Sequence, residues 1–305
     1  MRKSHVKLLL IFTVVFLIES VLNAQIDNRT WWNNLSPQWK KVFYKEQFKG
    51  KEVEPSDEDL DRVVKTKRIN CSHNDEIQNL KPLAQLVLLE MLKCSDCPAL
   101  ESLEGIENLS NLKEINCSNN DNISSLKPIE NLTSLQNLNC GNTMVKNLRP
   151  LLNLSNLQVL DIHFATINEL IFLKNLKNLN KLDVSDNTTL YSIEGIEGLN
   201  NLYDFNCSKT DVEDLTPLSN LKNLQILDVS TTQIKTLRPL QFVRTLREID
   251  CSNTQIKTLK YLYSNPNLVI LSVKNTEIPA EDLKAAIEAI SKINFDAKNL
   301  IFEVQ

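Results

Sequence analysis

The stretch LKNLQILDVSTTQIKTLRPL, residues 221–240, is one full statement of the pattern that decides the fold. Leu221, Leu224, Leu227, Val229, Ile234, Leu237 and Leu240 are aliphatic, Thr232 is the polar member of the set, and polar residues fill nearly every gap. Outward from here the opening leucine returns as Leu199, Leu176, Leu154, Leu132, Leu109 and Leu86, at steps of 22 or 23 residues. A fixed period of this size means a solenoid, in which each unit buries its apolar side only against its neighbours.

One unit reads as a strand, a turn and a return leg. From Leu157 to Ile162 the apolar residues are Leu157, Leu160 and Ile162. Side chains on a strand alternate faces, so Leu160 and Ile162 point inward while Val159, Asp161 and His163 point outward. The turn that follows holds an inward polar residue: Asn74, Asn120 or Asn187 in 23-residue units, and Thr143, Thr210, Thr232, Thr254 or Thr276 in 22-residue units. An asparagine amide both donates to and accepts from backbone groups left unpaired by a bend, so it can hold a turn one residue longer than a threonine hydroxyl can. The return leg carries Pro82, Pro128, Pro150, Pro217 or Pro239, with Gly105 and Gly195 as substitutes. Proline blocks a regular α-helix, so extended or 3₁₀ segments are expected on that side.

The pattern Leu-x-x-Leu-x-Leu-x-x-Asn/Thr-x-Ile-x-x-Leu-x-Pro-Leu resembles the short leucine-rich repeat of bacterial internalins and of eukaryotic phosphatase-regulator proteins. It covers residues 66–278, about ten strands. The resemblance implies an α/β solenoid with a parallel concave β-sheet, an extended or 3₁₀ convex side, and a non-enzymatic scaffold that offers its concave sheet to a partner, usually a protein. Partner identity does not follow from the framework residues, which the family shares.

Both ends of a stack are raw and need covers. A helical N-terminal cap is expected over residues 25–65. One helix starts at Ser36-Pro37 with Trp39, Val42 and Phe43 on one face and Gly50 at its end; a second starts at Ser56, with Asp59 completing a capping box and Leu60, Val63 and Val64 inward. A C-terminal cap over residues 279–305 combines a helix after Pro279, with Leu283, Ala286, Ile287 and Ile290 on one face, and a terminal strand within Leu300–Val304. Residues 1–24 read as an export signal: Arg2, Lys3 and Lys7 precede an apolar run from Leu8 to Ile18, and cleavage is expected after Ala24. That run falls short of the ~20 residues a spanning helix needs, so stable membrane insertion is not expected. No wall-sorting motif or hydrophobic tail is read near residue 305, and the chain is expected in the periplasm, at the cell surface or outside.

Composition narrows the function. Without residues 1–24 the chain has 31 basic and 37 acidic residues, which argues against nucleic acid. Five glycines are too few for a glycine-rich calcium-binding roll. With only His73 and His163 beyond the leader, a metal cluster or a histidine-dependent triad lacks material, and no cofactor is expected. Asp161, Asp183, Asp228 and Asp250 share an outward position with Asn70, Asn116, Asn139 and Asn206, so they read as a solvated polar ladder rather than a glycosidase pair. Ser72, Ser95, Ser118, Ser185, Ser208, Ser230 and Ser252 recur at another outward position and read as framework that keeps the face smooth. The sequons at Asn108, Asn131 and Asn153 follow from the repeat wording.

Of the seven cysteines, Cys71, Cys94, Cys117, Cys140, Cys207 and Cys251 take the inward place that Ile162, Val184, Val229 and Val273 take elsewhere. They read as a stack of buried structural thiols. Cys94 and Cys97 form a Cys-x-x-Cys whose spacing comes from the repeat, Cys97 standing in the Asn/Thr place. Without a helix N-terminus to lower a thiol pKa, a thiol oxidoreductase is the remote alternative.

Outward residues that break the pattern are the candidates for binding. His163 replaces the usual serine, Phe164 a polar residue, Ala165 the Asn/Thr, and Phe172 the proline; Val159 is outward beside them. An exposed aromatic beside an imidazole, flanked by Asp161 and Asp183, has the composition of a binding hot spot; the alternative is that Phe164 tucks over the strand edge above Ala165. Met91, Val159, Ile226 and Ile270 share one outward position with Arg68, Glu114, Lys181, Asp204 and Glu248 between them, a mixed apolar and acidic lane suited to a protein with basic and apolar groups. The expected site is therefore Val159, Asp161, His163, Phe164, Asp183, Asp204 and Ile226, for a protein partner of unknown identity. The alternative partner is a glycan stacked on Phe164 or Tyr203.

Overall fold

The structure, a computed structural model, describes residues 27–294 and 301–303. The expected leader, residues 1–24, lies outside the described residues, as do Leu300 and Val304. Contacts divide the chain into two compact units, one through Thr66 and one from Lys67.

The first unit is helical: α1 (Asn28–Asn33), α2 (Pro37–Phe48) and α3 (Asp57–Val63). α2 and α3 form where the sequence places them, because Ser36 Oγ accepts from Trp39 N and because Ser56 and Asp59 close a reciprocal capping box. α1 was not legible as a helix; Asp27 caps it by accepting from Thr30 N at 2.9 Å. Its Trp31 and Trp32 are buried with Trp39 and Phe43, Trp31 meeting Phe43 edge-on at 5.2 Å. Arg29 ties the α3 approach down by bonding Glu54, Pro55 O and Asp57.

The second unit is one eleven-stranded parallel sheet in chain order. Its strands are β1 (Arg68–Asn70), β2 (Met91–Lys93), β3 (Glu114–Asn116), β4 (Asn137–Asn139), β5 (Val159–Asp161), β6 (Lys181–Asp183), β7 (Asp204–Asn206), β8 (Ile226–Asp228), β9 (Glu248–Asp250), β10 (Ile270–Ser272) and β11 (Ile301–Glu303). Every strand from β1 to β10 shows its middle residue buried and its first residue more open, the alternation expected of a half-buried strand. Leu221, Leu224, Leu227, Val229, Ile234, Leu237 and Leu240 are all buried, as is Thr232.

Opposite the sheet run seven 3₁₀ turns among the described residues, five of them with proline at the first or second position. Ile171–Leu173 and Lys260–Leu262 are 3₁₀ without proline, so the rung spacing imposes the geometry and proline only favours it. Gly105 and Gly195 do more than substitute for proline. Their φ values are +109° and +106°, and a Cβ on Gly105 would stand 2.4 Å from Lys81 Cα in the preceding rung. Glycine is required there by close backbone approach.

The inward turn residues account for the two repeat lengths. Asn120 Nδ2 donates to Cys117 O and Ser118 O in its own rung and to Cys94 O in the rung before, while its Oδ1 accepts from Cys97 N. Asn187 bonds Val184 O, Ser185 O and Ile162 O, and accepts from Ala165 N and Ile167 N. A threonine does less: Thr143, Thr210, Thr232, Thr254 and Thr276 each donate to the carbonyl three residues back in their own rung. A second ladder runs along the surface, where Asn111, Asn156, Asn178, Asn201, Asn223 and Asn267 donate to Val87 O, Thr133 O, Ser155 O, Lys177 O, Asn200 O and Arg244 O of the preceding rungs.

At the far end, α4 (Ala280–Ile293) buries Ala286 and Ile290. Its Asp282 accepts from Leu259 N at 2.7 Å, Thr258 Oγ1 at 3.2 Å and Tyr263 Oη at 2.8 Å, which fastens the helix to the Lys260–Leu262 turn. Burial and this carboxylate push the Tyr263 phenol up to about 12. β11 then pairs with β10, placing a strand in the expected terminal run.

Candidate protein-binding face

Because the strands pair in register, outward residues line up in lanes across the sheet. Val159, Lys181, Asp204 and Ile226 are consecutive in one lane, and Asp161 and Asp183 are neighbours in the next. All seven expected site residues therefore lie on β5 to β8 or the turn after β5.

The Asp/Asn lane is not a merely solvated ladder, a correction to the sequence reading. In eight rungs the side-chain Oδ1 accepts from the amide two residues on, at 2.8–3.2 Å, from Asn70 with Ser72 through Asp250 with Ser252. The short side chain thus ends each strand by an Asx turn. The serines are not just small either: Ser118, Ser185 and Ser208 Oγ each donate to that same Asx oxygen at 2.6–2.8 Å. The next residue of each of these turns has positive φ, which suits the asparagine or aspartate at Asn119, Asn142, Asp186 and Asn253; His73, Phe164, Lys209 and Thr231 take it in the other four.

The β5 rung keeps this backbone and changes what it presents. His163 Nδ1 lies 2.6 Å from Asp161 Oδ1 and so takes over the serine's bond. Its ring covers Gly141 in the preceding rung, where a Cβ would come within 2.3 Å of Nδ1. Phe164 sits at φ +47° in the left-handed position and is 59 % exposed, so its ring is not tucked away. Exposed Met144 follows the turn of the neighbouring rung. Ala165 offers no polar group to its own turn, and Asn187 of the next rung holds that turn instead. Val159 and Ile226 are partly open, and Asp204 is engaged by Lys181 at 2.7 Å.

The seven cysteines are buried and free. Burial pushes the Cys94 and Cys140 thiols well up, and Cys117 to about 12. Cys97 differs from the expectation of an unperturbed thiol: its hydrogen bond with Cys71 and the Asn74 amide hold it at about 7 against the effect of burial. Its Sγ stands 3.3 Å from Cys71 O and 3.4 Å from Ser95 O, the carbonyls matching two that Asn120 bonds one rung later. Cys97 is an asparagine stand-in whose close partner is Cys71 rather than Cys94, and none of the three thiols reaches solvent as an attacking group must.

Elsewhere, a groove of about 510 Å³ opens between two 3₁₀ turns, lined by Ser124, Lys127, Glu130, Asn147, Arg149 and Asn153 among others. Among the described residues no group of three His, Cys, Asp or Glu side chains is placed to hold a metal, and no helix is long and apolar enough to cross a membrane.

This architecture is a leucine-rich-repeat solenoid of the short, internalin type. An internalin from Listeria monocytogenes superposes with a TM-score of 0.64 over 88 % of this chain and 90 % of its own, at 19 % identity. A leucine-rich-repeat protein of Leptospira interrogans follows with a TM-score of 0.56 at 22 % identity, over 75 % of this chain and 64 % of that one. The plant peptide hormone receptor RGFR1, solved in complex with RGF2, gives 0.55 at 18 % identity over 79 % of this chain and 42 % of its own. No protein-family model and no curated protein sequence matches the chain. At these identities the likeness is one of fold.

Proposed function

We propose that the chain is an exported, non-enzymatic scaffold that holds a protein partner on its sheet face, centred on Val159–Phe164 and flanked by Asp183, Asp204 and Ile226. The observation that carries this reading is Phe164, a large aromatic side chain 59 % exposed in a backbone conformation that disfavours it. The left-handed turn recurs along the array, at His73, Lys209 and Thr231 among others, so what sets Phe164 apart is its exposed aromatic ring, and aromatic side chains are enriched in binding hot spots. Beside it the imidazole of His163 is oriented by Asp161. The plant receptor solved with RGF2 is an instance of this fold holding a ligand.

The test exchanges His163→Ser and Phe164→Asn, residues that other rungs carry at those places, and measures retention of proteins from the native envelope on the immobilised chain. Loss of a partner with a urea midpoint no lower than that of the parent chain supports the site; undiminished capture removes it. Export is tested separately, by sequencing the N-terminus of protein recovered outside the cytoplasm. The mature chain is expected to begin at Gln25.

A further inference from the structure

The outward strand positions divide by charge along the sheet. From β1 to β4 they carry Arg68, Lys93 and Glu114; from β5 to β10 they carry Asp161, Asp183, Asp204, Asp228, Glu248 and Asp250 against the single Lys181. Lys181 is already engaged by Asp204 at 2.7 Å. Among the described residues no ion pair reaches Asp228, Glu248 or Asp250.

These carboxylates share the face with aliphatic side chains. Register sets Ile226 beside Glu248 and Glu248 beside Ile270, while Asp228 pairs across to Asp250. Adjacent strands stand ~4.8 Å apart, so Asp228 and Asp250 are close like charges. Burial, and then the Asp250 charge, raises the Asp228 pKa. An arriving cation offsets the repulsion between the two carboxylates. A bare metal ion fits poorly, because no group of three His, Cys, Asp or Glu side chains there is placed to hold one; anionic lipid or nucleic acid is repelled.

Resting on the protein-binding reading above, we infer that β8 to β10 take a cationic, aliphatic stretch of the partner's polypeptide. Its lysine or arginine head groups lie on Asp228 and Asp250, and its aliphatic side chains lie on Ile226 and Ile270. Charge complementarity chooses this occupant, and the isoleucines set it apart from a purely polycationic one.

The probe is a fluorescein-labelled peptide of alternating arginine and leucine, with Glu–Leu and Arg–Ser counterparts, titrated onto the full chain by polarisation. Asp228→Asn with Asp250→Asn is the decisive variant, because asparagine already fills this lane at Asn139 and Asn206 and keeps the Asx turn there. Expected are binding of the Arg–Leu peptide, weaker binding of Arg–Ser, none of Glu–Leu, and a loss on the order of tenfold in the double variant with a shallower salt dependence. Glu169→Gln with Glu213→Gln removes equal charge from exposed positions off the sheet and is expected to leave affinity unchanged. Equal losses in both double variants, or none in the first, overturn the inference. The His163→Ser, Phe164→Asn pair separates the two readings: if it abolishes partner capture while the aspartate pair changes nothing, the scaffold reading stands and the cationic occupant falls.

Discussion

The rung that ends in Asn120 and the rung that carries His163, Phe164 and Ala165 lie two strands apart in one sheet, and they use the same backbone differently. In the first, Asn116 and Ser118 are bound to each other, Asn119 bonds the Asp96 side chain, and Asn120 is consumed in four backbone bonds. In the second, the turn is held from outside by Asn187, and two large side chains face outward. A solenoid can thus release a rung for recognition when its neighbour supplies the missing hydrogen bonds.

The hardest way to break this comparison is to remove the support. Asn187→Ala leaves the carbonyls of Ile162 and Val184 without the amide donor of Asn187, Ser185 O with Phe164 N alone, and the amides of Ala165 and Ile167 without their acceptor. A loss of at least about 3 kcal/mol is expected, read as the urea midpoint, against about 1 kcal/mol for Thr232→Val, whose hydroxyl makes a single bond within its own rung. Equal losses would mean that the asparagine does not bridge rungs.

Gly141→Ala comes next. Its methyl group would occupy the space of the His163 ring, and a loss of about 1–3 kcal/mol is expected. Adding His163→Ser should restore most of it, because a serine needs no such space; a double-mutant cycle with no coupling would refute the stacking.

Phe164→Asn is expected to raise stability by about 1 kcal/mol, since asparagine tolerates the left-handed backbone, while it lowers partner capture. Denaturation and capture measured on the same preparation sharpen the contrast between a rung kept for stability and one kept for contact. The smallest effect concerns Asp228, whose folded pKa lies above the ordinary 3.8. Its charge therefore costs stability at neutral pH, and that cost fades as pH falls through the raised value. Asp228→Asn should be the more stable form at pH 7 and lose its advantage as pH drops toward the ordinary carboxylate range, followed by the urea midpoint at each pH.

Much of this was legible in the sequence because a period exposes which positions are equivalent. The inward cysteines, the link of Asn and Thr to repeat length, the 3₁₀ side and the capping box at Ser56 all follow from equivalence or from local rules. What stayed hidden lies between one rung and the next. Gly141 beneath His163, Cys71 beside Cys97, and the surface ladder from Asn111 to Asn267 are contacts between residues about 22 to 26 apart whose partners differ in kind. The Asx turns were local, yet a solvated aspartate and a capping one look alike until the amide two residues on is in view. Helix α1 was missed because six residues give too little periodicity to register.

The asparagine bonds to backbone carbonyls between rungs have a direction. Asn120, Asn187 and the members of the surface ladder all reach back to groups nearer the N-terminus. On the ribosome each coil emerges before the asparagine that will complete it, so a growing array always ends in a coil still waiting for its successor. Cutting from the rear strands the new last coil without the asparagine that would hold its turn, and α4 with β11 is the device that closes that end.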